Sequence, residues 1–299
     1  MAGTTKISIC AALAAILLMA AGCQVVAPVL KAAAGGKYKK KVVVAGFVNR
    51  SGEGGLNLDE LLAEPLRERL IVECEAAVIT RSPELSELTM SHMGDSLTGL
   101  SDTLGLAKRA REHGVNVLVT GVLREVGISQ GTVGVIGFRN PADVYTAKVS
   151  IWGYDTSTAA KILDEQVEVE VRVEKSQELG VGDNGERPTA EDLFRMLVEK
   201  AVAEVCDSVS TTRWTGFVGR VDGDKVLIRS GTDVDVAKDD ILHLVQPGEV
   251  ISGVFGETYQ VAGDTVGRLR VIECVDAQCV AEVEKGGPAK AGDWVKGDE

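Results

Sequence analysis

The sequence predicts an α+β chain in two folded parts, a mixed α/β sandwich over residues 41–210 and a small all-β barrel over 212–297. Three observations predict it. Lys41 to Val48 is a continuous apolar run rich in β-branched residues, the composition of a central strand covered on both faces. From there to residue 210, strand-like and helix-like periods follow in the order β-α-β-α-α-β-β-β-α, which asks for helices packed on a mixed sheet. Beyond residue 212 short strands recur between turn residues, without a convincing helix, as a small barrel requires.

The first strand is broken by the turn residues Asn49 to Gly55. Asn57 or Asp59 then stands at the cap position of a helix whose Leu61, Leu62, Leu66, Leu70 and Ile71 share one face. A short strand, Ala77 to Thr80, precedes Ser82 and Pro83, a helix start with Glu84 and Glu87 in the first turn. Asp102 to His113 is a further helix, closed by Gly114 in the left-handed position. Val115 to Val126 reads as a strand that bends at Gly121. Tyr145 to Tyr154 and Val167 to Val173 alternate as half-buried antiparallel strands, and Thr189 to Val209 carries a helical apolar stripe. In the second part, Asp222-Gly223-Asp224 marks a tight hairpin between Trp214 to Val221 and Lys225 to Arg229. Further strand-like runs are Asp235 to Val245, Val266 to Val271, Val280 to Val283 and the closing Gly292 to Val295.

Residues 1–22 differ from everything that follows. Lys6 precedes the apolar run Ile7 to Ala21, too short to cross hydrocarbon as a helix and of the length of an export signal. The run ends in Ala20, Ala21 and Gly22 before Cys23, which resembles the lipobox of bacterial lipoproteins. The resemblance implies cleavage before Cys23 and acylation of that cysteine, so that the mature chain is held in the bilayer by acyl chains such as palmitate. Gln24, in place of Asp, goes with the outer membrane in such proteins. Each buried methylene contributes about 0.8 kcal/mol, so two or three chains give stable attachment. Residues 23–40 read as a flexible lipidated linker. Its Lys37, Lys39 and Lys40, with Lys41, form either a solvated stretch, the preferred reading, or a contact with anionic headgroups.

Lys and Arg total 32 against 44 Asp and Glu, a net charge of −12. Loss of Lys6 with the signal leaves 31 against 44, or −13. Self-repulsion on that scale excludes a general polyanion surface, so nucleic acid is not an expected partner. Three scattered His, at 92, 113 and 243, leave little material for a catalytic zinc site, and no nucleophile elbow, phosphate-binding loop or zinc-protease helix is present. We therefore expect no enzyme activity, no cofactor and no metal. Asp222, Asp224, Asp233, Asp235, Asp239 and Asp240 form the densest acidic group; they read as solvated turns in preference to a calcium site, because their spacing matches no calcium loop. Cys274 and Cys279 flank a hairpin turn within disulfide range, while Cys74 and Cys206 lie on two predicted helices, as a second bridge or as buried thiols.

Val43 to Gly52, with its Phe47-Val48-Asn49-Arg50-Ser51-Gly52 ending, resembles the strand and turn that open the periplasmic domain shared by the CsgG and TolB N-terminal families. Ile79 to Ser82, the strand Gly114 to Val122 and the hairpin Tyr154 to Leu163 are similar to further motifs of that domain. Residues 216–245 resemble the SH3-like C-terminal barrel of the FlgT family, with Asp239 where that pattern often has Gly. The resemblance implies a periplasm-facing outer-membrane lipoprotein that binds other cell-envelope proteins without catalysis, in flagellar basal-body assembly or support, and that can form a homo-oligomer. The alternative it implies is a CsgG-like secretion-channel subunit, which inserts two long amphipathic hairpins. The candidate insertions, Ile128 to Val144 and Ser176 to Pro188, read as ordinary loops or partner contacts, since the first breaks at Arg139-Asn140-Pro141 and the second is charged and Gly-rich.

Overall fold

The computed structural model describes residues 36–93, 99–135, 138–175, 187–254 and 256–298. The first body is a five-stranded sheet in the order β2-β1-β3-β4-β5, built from β1 (Lys40–Asn49), β2 (Ala77–Ile79), β3 (Val117–Val135), β4 (Phe138–Asp155) and β5 (Lys161–Glu174). The strands β2, β1 and β3 are parallel, and β3, β4 and β5 are antiparallel. Helices α1 (Glu64–Glu73) and α4 (Ala190–Thr211) cover one face, where Leu66, Leu70, Leu197 and Val205 meet Val44, Val119 and Ile151. On the other face, α2 (Pro83–Met93) and α3 (Thr103–Glu112) bring Leu85 and Ala110 onto Val43, Ala45 and Leu118. That double cover is why β1 is apolar from Val42 to Val48.

The second body is a closed barrel in the order β10-β7-β6-β11-β8-β9, so the chain is α+β with a small barrel. Its strands are β6 (Gly216–Asp222), β7 (Lys225–Ile228), β8 (Ile241–Ser252), β9 (Thr258–Val275), β10 (Gln278–Gly286) and β11 (Trp294–Gly297). Gly223, at φ 61°, and Asp224 close the β6–β7 hairpin.

Four local expectations are corrected. Neither Asn57 nor Asp59 caps the first helix: a π-helical turn, Asp59–Ala63, leads into α1 from Leu58 without a side-chain cap. Asp59 instead accepts from Arg67, whose Nε and Nη2 donate to the Val44 carbonyl at 3.1 and 2.9 Å, where β1 shifts register. Ile71 faces outward, 64% exposed, because within α1 it stands one residue after Leu70 and five after Leu66, off the buried stripe that those two define. In β3 the irregularity lies between Leu123 and Glu125 and not at Gly121, where any side chain would collide with Phe47. In the barrel, Asp235 to Asp240 is a loop with Asp235 and Asp239 at positive φ, and the strand starts at Ile241. Asp239 thus adopts the conformation for which glycine is commonest.

Within 128–144, read as an ordinary loop or partner contact, residues 128–135 and 138–144 are the paired strands of a long hairpin. The β3–β4 ladder runs without interruption from Glu125↔Lys148 to Val135↔Phe138, and β5 pairs beside it as far as Ala142↔Glu174. Arg139, Asn140 and Pro141 stay in strand geometry because Pro141 needs no amide donor there and Asn140 is tied to Glu174. Among the described residues, no helix is long and apolar enough to cross a membrane. Cys23, the anchor sequence and most of Ser176 to Pro188 lie outside the described residues.

Candidate partner-binding recess and the joint between the two bodies

The turn after β1 is built by its own side chains. Asn49 Oδ1 accepts from the Ser51 amide at 3.0 Å and the Ser51 hydroxyl at 2.8 Å, while Asn49 Nδ2 donates to the Glu53 carbonyl at 2.7 Å. Gly52 and Gly55 take the positive φ values of 85° and 76° that the reversal demands. The Asn-Arg-Ser-Gly motif is therefore a self-capped turn, and the residues that follow it, Glu53, Gly54 and Leu56, form one wall of a recess of about 380 Å³. The other walls are the base of the long hairpin and the N-terminus of α4, fixed by a reciprocal capping box between Thr189 and Asp192. Leu56, Val126, Ile128, Tyr145, Pro188 and Leu193 line it. Tyr145 is 6% exposed and Ile128 66%, so the recess has a fixed floor and an open apolar rim. No predicted site residue lies in it. The signal in the sequence was present as Val126, the last residue of the predicted strand, and the apolar position 128 just beyond it.

The joint between the bodies gathers the lysines read as a solvated stretch. Lys37 Nζ lies 2.6 Å from Asp240, Lys39 Nζ 3.3 Å from Asp235 and Lys41 Nζ 2.8 Å from Asp233. Tyr38 is buried, its ring centroid 4.6 Å from that of Trp214, and it donates to Asp240 at 3.1 Å. The Lys39 amide donates to the Val234 carbonyl, and Lys40 is buried. Residues 37–41 are thus a strap on the barrel, and half of the acidic group, Asp233, Asp235 and Asp240, serves as its counter-charge. Among the described residues, no group of three metal-ligating side chains forms.

Burial sets the electrostatics of this joint. It pushes the Tyr38 phenol well above the ordinary range, with the Asp240 charge adding to the effect. Asp240 is also raised by burial, but hydrogen bonds from Lys37, the Ala237 amide and Tyr38 outweigh this and hold its carboxyl below the ordinary value. Behind the strap, Asn116 Oδ1 accepts from the Lys41 amide at 2.9 Å and its Nδ2 donates to the Thr215 carbonyl at 2.6 Å. Arg111 reaches from α3 to 5.5 Å from the Trp294 ring, and burial lowers its guanidinium to about 10.

The predicted cysteines fall into two separate places. The sulfurs of Cys74, at the end of α1, and Cys206, in α4, lie at bonding distance with Cα atoms 5.4 Å apart; those of Cys274 and Cys279 do so across the β9–β10 turn, with Cα atoms 4.1 Å apart. His92, His113 and His243 are spread over α2, the end of α3 and β8, with no common centre.

No protein-family model matches the chain, and no curated protein does. Solved structures similar to it include the hypothetical protein CT253 of Chlamydia trachomatis, 18% identical over 58% of this chain and 99% of that one, with a TM-score of 0.38. Lipoprotein GNA1162 of Neisseria meningitidis is 14% identical over 56% of this chain and 99% of that one, with a TM-score of 0.31. TolB of Acinetobacter baumannii is 11% identical over 85% of this chain and 63% of that one, with a TM-score of 0.26. A bacterial lipoprotein and TolB are therefore among the structures this chain resembles.

Proposed function

We propose that the chain is an acylated lipoprotein on the periplasmic side of the outer membrane that binds other envelope proteins and catalyses no reaction. The observation that carries the binding role is the apolar recess between the Asn49–Gly55 turn, the hairpin base and α4, a preformed concavity of the kind that receives a partner's side chain. The lipobox-like ending at Cys23 supports the anchor, and the two cysteine pairs are proposed to be bridged in an oxidising periplasm. The motif resemblance to the FlgT barrel supports a place in flagellar basal-body assembly.

A second reading, a secretion-channel subunit, is favoured by the length of β3 and β4, at 19 and 18 residues. Membrane strands need about 9 to 11 alternating residues. Against it, neither face of the hairpin is apolar throughout: one carries Gln130, Thr132, Arg139 and Asp143, and the other carries Ser129, Asn140 and Thr146 among its Val, Ala and Gly positions.

Metabolic labelling with a tagged fatty acid tests the anchor. Label should enter the wild-type chain and vanish in Cys23→Ala, which should leave the membrane fraction. Equal labelling of both chains would refute the anchor, and ion conductance by the purified protein in planar bilayers would replace the binding role with the channel.

A further inference from the structure

The sheet ends on β5, and its outer edge is covered over only part of its length. The direction of each backbone group follows from its partners. The Lys175 amide donates to the Pro141 carbonyl of β4, so odd-numbered residues address β4. Even-numbered residues point outward: Ser208 of α4 donates to the Ile162 carbonyl at 3.2 Å and Lys200 donates to the Glu168 carbonyl at 2.7 Å. Beyond Glu168 the outward backbone groups of Glu170 and Arg172 take no partner among the described residues. An unpaired edge of this kind is a template for another strand.

The side chains of this stretch alternate. Val169, Val171 and Val173 lie on the α4 face, the last two only partly buried. Glu168, Glu170 and Arg172 lie on the other, where Glu170 and Arg172 form an exposed pair. We propose that β5 pairs antiparallel with β5 of a second copy, with Val171 opposite Val171 across a two-fold axis. In that register Glu170 of each copy faces Arg172 of the other, giving two cross-strand ion pairs, and Val169 faces Val173 twice on the opposite face. Within the stretch left open beyond Glu168, whose carbonyl Lys200 occupies, the neighbouring registers that keep the valines on one face put Glu170 opposite Glu170, or Arg172 opposite Arg172 with Glu170 opposite Glu174, so charge selects one alignment there; at its ends Glu168 faces Glu174, each already partnered, by Lys148 and by Asn140. The contact is isologous and closes at a dimer, joining the two sheets into one. It runs along β5, none of whose residues lines the apolar recess.

A cysteine at the axis reads this directly, because facing residues in a non-hydrogen-bonded antiparallel pair have Cα atoms about 4.5 Å apart. Val171→Cys in the full chain, expressed in the envelope, should give a covalent dimer on non-reducing gels, while Gln166→Cys should give at least tenfold less. Adding Glu170→Arg or Arg172→Glu to Val171→Cys should cut the dimer at least tenfold, and both together should restore it. Sedimentation of the chain without an added cysteine, and of Glu170→Pro, removes dependence on any one variant's folding. The unsubstituted chain should show a concentration-dependent dimer, and Glu170→Pro, which loses the outward amide and the exposed Glu170–Arg172 pair but no ladder bond to β4, should stay monomeric. A purely monomeric chain, or a dimer indifferent to the charge exchange, would overturn the pairing.

Discussion

Asn116 connects the two bodies through one side chain, with the Lys41 amide on its oxygen and the Thr215 carbonyl on its nitrogen, both buried. Replacing it with Ala strands a donor and an acceptor away from water, and each such group costs about 1 to 3 kcal/mol. Asn116→Ala should therefore lower unfolding stability by about 2 to 4 kcal/mol in urea titration; a loss below about 0.5 kcal/mol would show that the joint does not depend on it. Asn116 lies in a motif that the sequence marks only as a strand opening. Its partner at residue 215 is 99 positions away, and no local period reports such a contact.

The strap makes a prediction at the level of an element. Asp240 has its carboxyl held below the ordinary value, so its contribution is present above the unfolded carboxylate pKa of about 3.9 and is lost as pH falls through the lower folded value. The protection factor of the Lys39 amide, bonded to Val234, should accordingly stay level from pH 6 to about 4 and then fall. In Asp240→Asn it should be lower throughout and lose that acid step. A wild-type step near pH 6.5 would point to a histidine instead. Tyr38, raised by burial, adds the opposite limit, since its contribution is present below about 10 and lost above. The regular elements were legible because their apolar periods report one covered face or two: β1, α3, α4 and the β6–β7 hairpin are where the sequence places them. The strap was not, since lysines beside an expected anchor carry no local sign of acids about two hundred residues away. The hairpin was missed for a different reason. Its distal strands carry Gly, Arg, Asn and Pro, which weaken the alternation while the ladder between them holds.

At the scale of the whole molecule, the fold sets an apolar recess, an open sheet edge and the strap on different parts of one scaffold. The strap comes first in the chain after the expected anchor, so any tether at Cys23 leads into the joint between the bodies. The recess is the part available to an envelope protein. Its candidacy was legible only as a turn motif and the positions Val126 and Ile128, because the walls come from residues 53–56, 126–128, 145 and 188–193 and meet only in the folded sheet. A photoreactive residue at position 128, introduced in the native cell, tests the binding role most directly. The account predicts an adduct with an envelope protein that is absent from a chain labelled at Lys108, on the exposed side of α3. The adduct should be lost when Gly54→Trp fills the recess, a position where an added side-chain carbon meets no atom within 4 Å. Adducts of equal yield at both labelled positions, or an adduct at 128 that survives Gly54→Trp, would contradict it.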